Sequence, residues 1–268
     1  MTRTDRTRLP SIVREAIEAH TGPIKSIEPA PTGNHADIAS TFHTARGPMF
    51  VKAARKLPDA DGPEVRSLRN EAAVNPHVTG FAPRLLWQAE AGGWLALGFE
   101  QVDGRHADFT PGSDDLEILA KTVQALQAAP CPDVVRMRVE RRWASVTEDV
   151  TPMAGDALLH TDLNADNLLI TPDGQARVVD WAFAARGAAW VEFGLLIPWL
   201  LKGGHTPAQA ADWVAQFPSW AGADPAHIDL FSEAFAARWR RHAARENPED
   251  WVTLHADLTR QWAEYRAG

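Results

Sequence analysis

Residues 160–167 read "HTDLNADN", and the apolar "LLI" of residues 168–170 follows directly. One His, two Asp and two Asn therefore fall within eight residues, between segments that have the character of buried strands. Burying an unpaired carboxylate costs several kcal/mol, so packing gives no reason for such a stretch. The pattern indicates a loop whose side chains do chemistry.

The spacing around this loop predicts a site for a hard cation. Asn167 lies five residues after Asp162, and Asp180, at the end of "RVVD", lies thirteen residues after Asn167. "LLIT" and "ARVVD" read as short strands joined by the turn "TPDG". A hairpin of this kind would bring Asn167 and Asp180 side by side as oxygen ligands for Mg²⁺, with Asp162 a short distance away.

A second group of candidate residues lies upstream. "FVKA" places Lys52 in a predicted strand, and Glu71 follows nineteen residues later on a predicted helix, so the two side chains can pair across the sheet and hold an ammonium for phosphate oxygens. A surface salt bridge is the alternative. The turn "TGNHAD" contains Gly33, Asn34 and His35, whose backbone N–H groups could cover a triphosphate; ordinary loop residues are an equal alternative for Asn34 and His35.

Hydrophobic periodicity divides the chain into two parts. Residues 1–100 contain a short first helix, five strand-like segments and one further amphipathic helix, which predicts a five-stranded antiparallel sheet with a packed helix. Residues 101–268 are mainly helical, apart from the short strands around the polar loop. Two helical stripes near the end are predicted to be buried. The first stripe is Ile228, Phe231, Phe235 and Trp239, and the second is Trp251, Leu254, Leu258 and Trp262.

Composition narrows the class of protein. The chain has 268 residues, 45% of them hydrophobic, and a formal net charge of −8, which argues against nucleic-acid binding and leaves a cationic ligand open. Cys131 is the only cysteine, so an intrachain disulfide and a multi-Cys metal site are excluded, and a reducing cytoplasm fits best. No segment approaches the length of a membrane span, and no signal peptide is evident.

Together, "HTDLNADN", "VVDW", "FVK" and an upstream helix Glu resemble the aminoglycoside phosphotransferase family, with its choline kinase and fructosamine kinase relatives. The resemblance implies that Asp162 orients or deprotonates the acceptor hydroxyl. It implies that Asn167 and Asp180 hold two Mg²⁺ ions on ATP, that Lys52 contacts the α- and β-phosphates, and that Glu71 fixes Lys52.

The same resemblance implies further positions and the fold. His160 would brace the catalytic loop, and Glu100, Gln101 and Val102 would form the hinge whose backbone binds adenine. The implied fold is α+β, bilobal and protein-kinase-like. Its small N-terminal nucleotide-binding lobe (residues 1–100) has a five-stranded antiparallel sheet plus a helix, and its larger helical C-terminal lobe (residues 101–268) holds the catalytic loop and the substrate pocket.

Two departures from the pattern bear on function. Trp181 follows Asp180 where protein kinases have Phe-Gly, and no A-P-E motif is present, so a protein substrate is not expected. The acidic position that follows the metal Asp in the family can be filled only by Glu192, whose side chain is longer than the usual one.

The expected function is therefore ATP-dependent phosphorylation of a small-molecule hydroxyl. An aminoglycoside-like antibiotic is one candidate acceptor, with a role in antibiotic resistance. A cellular metabolite such as choline, homoserine, a fructosamine or a sugar is another. A catalytically silent nucleotide-binding module is a third reading, although such a module has no need of Asp162. The sequence does not fix the acceptor, the choice of ATP over GTP, or the oligomeric state.

Overall fold

The computed structural model describes residues 9–30 and 36–268 and divides the chain into two compact units. The first unit is drawn from Met1–Arg105 and Leu169–Phe183, and the second consists of His106–Leu168 and Ala184–Gly268. The first unit thus includes a hairpin from the second half of the chain. The functional division into lobes at residue 100 stays a prediction.

The first unit is built on the five-stranded antiparallel sheet that the sequence predicts. Its strands follow the order β1-β2-β3-β5-β4. They are β1 (Ile24–Pro29), β2 (Ile38–Thr44), β3 (Gly47–Arg55), β4 (Leu85–Ala91) and β5 (Trp94–Glu100). The hairpin between β4 and β5 depends on Gly92 and Gly93, whose φ angles of +54° and +75° lie in the left-handed region that glycine adopts without steric cost.

A helix covers each face of this sheet. Helix α1 (Ser11–Thr21) contributes Val13 and Ile17 to a core with Phe42, whereas α2 (Pro63–Val74) contributes to a separate core with Leu95 and Leu97. Strand β5 is buried along nearly its whole length because alternate residues face the two cores. This packing fixes α2 against the sheet.

The hairpin from the second half of the chain, within residues 169–183, is grouped with the first unit. Strands β8 (Leu168–Ile170) and β9 (Ala176–Val178) join β6 (Arg105–His106) in a three-stranded sheet of order β6-β8-β9. The short 3₁₀ turn Trp181–Phe183 follows β9. The two strands that the sequence predicts on either side of "TPDG" are therefore confirmed.

The second unit is mainly helical, as predicted. Its short strands β7 (Ala157–Leu159) and β10 (Ala185–Gly187) pair antiparallel. Its helices are α3 (Asp115–Ala128), α4 (Val191–Lys202), α5 (Pro207–Ala215), α6 (Pro218–Ala221), α7 (Pro225–Ala243) and α8 (Asp250–Arg266). Among the described residues, no helix is both long and apolar enough to cross a membrane.

One predicted stripe is partly wrong. In α8, Leu258 and Trp262 are buried, but Trp251 and Leu254 are 44% and 46% exposed. The buried residues of this helix are His255, Leu258, Thr259 and Trp262, so its buried stripe begins only at His255. The ring of Trp251 packs edge-on against Trp239 instead, with 5.6 Å between ring centroids.

Candidate active site

Lys52 lies in the middle of the sheet on β3, where it pairs with Ala39 and Leu97 of the neighbouring strands. Its Nζ atom lies 2.8 and 2.9 Å from the two carboxylate oxygens of Glu71 on α2, and 3.0 Å from Oδ1 of Asp180. Only 12% of the Lys52 side chain and 5% of the Glu71 side chain are exposed, so this is not a surface ion pair.

The charges of this group decide the protonation of Lys52. Burial alone would lower the pKa of Lys52, but the charges and hydrogen bonds of Glu71 and Asp180 outweigh burial and raise that pKa above its usual value. Burial also raises the pKa of Glu71, and the charge of Lys52 opposes that rise. Lys52 is therefore an ammonium held in one position. Two carboxylates surround this one ammonium, so the group favours binding of an added cation.

Helix α2 positions Asp180 as well as Lys52. The backbone N–H of Trp181 donates to the Glu71 carboxylate, and Nδ2 of Asn70 donates to the carbonyl oxygen of Ala182 at 2.9 Å. Asp180 itself has a φ of +65°, a left-handed conformation that Asp tolerates better than most residues. Neighbouring residues on one helix thus bind the segment that carries Asp180.

In the second unit, two asparagine amides hold the carboxylate of Asp162. Nδ2 of Asn164 donates to Oδ1 of Asp162 at 3.2 Å, and Nδ2 of Asn167 donates to Oδ2 at 3.0 Å. Both amides also donate to the Asp162 carbonyl oxygen, at 3.1 and 2.8 Å. The orientation of the carboxylate is therefore fixed, and both bonds from Asn167 to Asp162 use its Nδ2 and not its Oδ1.

Asn164 also shapes the loop that contains these residues. Its Oδ1 accepts the backbone N–H groups of Asp166 and Asn167, at 2.9 and 3.1 Å, and so caps the 3₁₀ turn Ala165–Asn167. An Asn whose side chain accepts the backbone N–H two residues ahead favours a turn, so the sequence could have indicated this capping role. The sequence analysis did not assign Asn164 a role.

Glu192 anchors the start of the loop from the first turn of α4. Its carboxylate accepts the backbone N–H of His160 at 2.6 Å and that of Thr161 at 3.0 Å. Burial raises the pKa of Glu192 to about 7, against the effect of those two hydrogen bonds and of the Arg142 charge. Despite its longer side chain, Glu192 thus reaches the loop backbone.

His160 is fully buried at the end of β7. Its Nδ1 accepts the backbone N–H of Asp162 at 3.3 Å, which requires that nitrogen to be unprotonated. This contact joins His160 to the backbone of the residue predicted to be catalytic, in keeping with the bracing role that the resemblance implies.

Of the three predicted hinge residues, Glu100 is the last residue of β5 and Gln101 and Val102 follow it. The backbone N–H of Glu100 donates to the carbonyl of Arg84 at 3.0 Å, while its carboxylate accepts Nε of Arg84 at 2.7 Å. Nε2 of Gln101 donates to the Val102 carbonyl at 3.2 Å, and Oε1 of Gln101 accepts from Thr41. Their role in adenine binding stays a prediction.

The remaining predicted positions are Gly33, Asn34 and His35, which lie outside the described residues. For the metal, the part of the chain that the structure describes contains no group of three or more His, Cys, Asp or Glu side chains that could hold an ion. Mg²⁺ is usually held by only one or two protein groups together with phosphate oxygens, so the amide of Asn167 and the carboxylate of Asp180 still fit its donor preference.

Comparison with known proteins shows what this chain is similar to. The Phosphotransferase enzyme family matches residues 110–226, whereas no curated protein matches the chain. A thermostable mutant of aminoglycoside phosphotransferase APH(4)-Ia, in the apo form, is similar in structure with a TM-score of 0.64 and 13% identity, over 96% of this chain and 100% of that chain.

Two other kinases have a similar structure. Choline kinase LicA from Streptococcus pneumoniae has a TM-score of 0.62 and 14% identity, over 94% of this chain and 98% of that chain. The microcompartment-associated aminopropanol kinase has a TM-score of 0.59 and 12% identity, over 95% of each chain. These likenesses confirm the predicted protein-kinase-like fold and the resemblance to aminoglycoside phosphotransferases, and with the family match they support a small-molecule phosphotransferase.

Proposed function

We propose that the protein transfers the γ-phosphoryl group of ATP to a hydroxyl group of a small molecule. The observation that carries this proposal is the Lys52 ammonium fixed between Glu71 and Asp180, because a cation held in this way is prepared to bind phosphate oxygens. Similar structures that contain ADP, AMP or AMP-PNP support a nucleotide as the ligand.

In the proposed reaction, the acceptor oxygen forms a bond to the γ-phosphorus while the bond from that phosphorus to the β–γ bridging oxygen breaks. The hydroxyl proton goes to the carboxylate of Asp162, and ADP leaves. Asn164 and Asn167 hold that carboxylate, which lowers the cost of orienting it toward the hydroxyl. Phosphoryl transfer needs little covalent help, so positioning accounts for most of the rate.

The other predicted residues take supporting roles in this proposal. Asn167 and Asp180 would hold Mg²⁺, which when bound offsets the negative charge of the phosphates. Gly33, Asn34 and His35 would cover the phosphates, and the backbone of Glu100, Gln101 and Val102 would bind adenine. A cytoplasmic location belongs to the same proposal, because ATP and the single reduced cysteine both fit that compartment.

The test is phosphoryl transfer from Mg·ATP to a panel of aminoglycosides, amino alcohols and sugars, detected by ADP release and by the mass of the product. Asp162→Ala should reduce transfer by about 10²- to 10⁴-fold without weakening ATP binding. Asp166→Asn is the matched control, since this exposed carboxylate lies in the same loop. No transfer to any acceptor by the wild type would count against the proposal.

The panel also separates the alternatives for the acceptor. Preferred turnover of an aminoglycoside supports an antibiotic-resistance role, whereas preferred turnover of choline, homoserine, a fructosamine or a sugar supports a metabolic one. A slow ATPase rate that Asp162→Ala does not change would favour the silent nucleotide-binding module.

A further inference from the structure

Two neighbouring side chains of α2 bond to the turn that follows Asp180 in the first unit. Nδ2 of Asn70 donates to the carbonyl oxygen of Ala182 at 2.9 Å, and the Glu71 carboxylate accepts the backbone N–H of Trp181. A donor and an acceptor that are adjacent on the helix thus meet an acceptor and a donor that are adjacent on the turn. The turn is held to the helix at two points.

The turn is buried, so these bonds are shielded from water. Trp181 is 1% exposed and Ala182 is 3% exposed. Nε1 of Trp181 donates to the carbonyl oxygen of Val178 at 2.9 Å, and the backbone N–H of Val178 donates to the Phe81 carbonyl at 2.8 Å. A carbonyl oxygen in such a position is costly to leave unsatisfied, and Asn70 supplies a donor to the one at Ala182.

Asp180 lies between β9 and this turn, because β9 ends at Val178 and the turn begins at Trp181. Its φ of +65° is a left-handed conformation, which a residue other than glycine keeps only when the surrounding structure holds it there. In that conformation Oδ1 of Asp180 lies 3.0 Å from Nζ of Lys52. The bonds on the far side of Asp180 therefore help to fix the direction of its carboxylate.

Helix α2 is a firm support for these bonds. Val65 and Leu68 place its buried side in the core shared with the sheet. At its end, Nδ2 of Asn75 donates to the Pro83 carbonyl at 2.8 Å, and Oδ1 of Asn75 accepts the backbone N–H of Leu85 at 2.7 Å. Asn70 thus projects from an element whose own position is determined by the first sheet.

We propose that Asn70 is a positioning residue for the metal ion. By holding the Ala182 carbonyl, it keeps the Asp180 carboxylate in the orientation that binds Mg²⁺ together with the nucleotide. This inference rests on the proposed function, in which Asp180 is a Mg²⁺ ligand, and it adds the residue that holds the ligand in place. Groups that orient a metal ligand without touching the metal commonly change metal affinity by about 10- to 100-fold when they are removed.

The experiment measures binding of the metal and nucleotide without transfer. Mn²⁺ replaces Mg²⁺, because both prefer carboxylate oxygens and free Mn²⁺ can be measured by electron paramagnetic resonance. AMP-PNP replaces ATP. Asn70→Ala should weaken binding of Mn·AMP-PNP by about 10- to 100-fold. Its affinity for adenosine, which has no phosphate and needs no metal, should stay within about 2-fold of the wild type.

Two further variants separate the amide donor from the helix as a whole. Asn70→Gln keeps the amide on a longer side chain, so it should bind Mn·AMP-PNP more tightly than Asn70→Ala does. Ser67→Ala is the matched control, because it also removes a polar side chain from α2, one turn before Asn70. It should leave the affinity for Mn·AMP-PNP within about 2-fold of the wild type.

The outcomes distinguish this inference from the proposed function. Binding of Mn·AMP-PNP that depends on Asn70, in a protein that transfers phosphate to no acceptor, would retain this inference and remove the proposed function. Transfer by the wild type, with unchanged Mn·AMP-PNP affinity in Asn70→Ala, would do the opposite. An equal loss of adenosine and Mn·AMP-PNP affinity in Asn70→Ala would show that Asn70 only stabilises the fold, and would overturn this inference as well.

Discussion

The carboxylate of Glu192 lies 2.6 Å from the backbone nitrogen of His160, although the two residues are 32 positions apart. This contact fixes where the loop of residues 160–167 begins, because β7 ends directly before His160 and α4 begins directly before Glu192. The side chain is 1% exposed, so the carboxylate gives up hydration and receives only two N–H groups and a nearby Arg charge in return. That balance makes the contact sensitive to pH.

The first prediction concerns stability against pH. Burial raises the pKa of Glu192 from 4.5 to about 7 in the folded protein, so between these values the folded chain binds more protons than the unfolded chain. The contribution of this group to stability is therefore fully present below about pH 4.5 and is lost as the pH rises through about 7. The loss amounts to about 3 kcal/mol.

Glu192→Gln tests this, because the amide is similar in size and does not titrate. Urea unfolding of both proteins at intervals from pH 4.5 to 8 should show the free energy of unfolding of the wild type falling relative to that of Glu192→Gln across this range. Parallel curves for the two proteins would mean that the Glu192 carboxyl does not titrate in this window.

The second prediction concerns the ion pair of Lys52. Glu71→Gln removes one of its two carboxylates, so the ammonium is drawn toward Asp180 and is displaced from the position in which it would bind phosphate. We expect KM for ATP to rise by about 10-fold and kcat to fall by a similar factor, as for loss of one charged hydrogen bond. Steady-state kinetics with the acceptor saturating measures both constants.

Glu64→Gln is the control for this change, because Glu64 is an exposed carboxylate in the first turn of the same helix. If Glu64→Gln and Glu71→Gln had the same effect on KM, the result would reflect the helix as a whole and not the contact with Lys52.

The sequence predicted the parts of this protein that local patterns encode. Alternating apolar residues and turn signals located all five strands of the first sheet, and Lys52 and Glu71 could be paired because a central strand and a covering helix must face each other. The order of Asp162, Asn167 and Asp180 carried the resemblance to the family. The roles of these residues in binding and catalysis stay predictions.

Contacts that depend on tertiary packing could not be predicted from the sequence in the same way. Asn70 bonds to a residue 112 positions away, and it does not stand in a motif with a fixed interval. The exposure of Trp251 was missed for the same reason, since helical spacing shows which residues share a face but not where along the helix the covering side chains end.

The third prediction concerns packing in the first sheet. Gly98 on β5 lies opposite Trp87 of β4, and a Cβ atom at Gly98 would lie 2.1 Å from the Trp87 indole. Gly98→Ala should therefore lower the free energy of unfolding by about 1–3 kcal/mol through overpacking. Urea unfolding measures the change. Gly80→Ala, where a Cβ meets nothing within 4 Å, should stay within about 0.5 kcal/mol of the wild type.

The last prediction concerns Asn164, which contacts the proposed catalytic carboxylate and caps the turn after it. Asn164→Asp keeps an oxygen for the backbone N–H groups of Asp166 and Asn167, but it replaces the amide donor 3.2 Å from Oδ1 of Asp162 with a second carboxylate. Two carboxylates at this distance cannot both ionise easily, so the proton is retained to higher pH. The acidic limb of the pH–rate profile should then move upward by about one pH unit or more. Asn164→Ala, which loses the donor without adding a charge, should lower kcat and move that limb upward by less than Asn164→Asp does. An equal shift of the limb in both variants would show that loss of the donor, and not the added charge, is the cause.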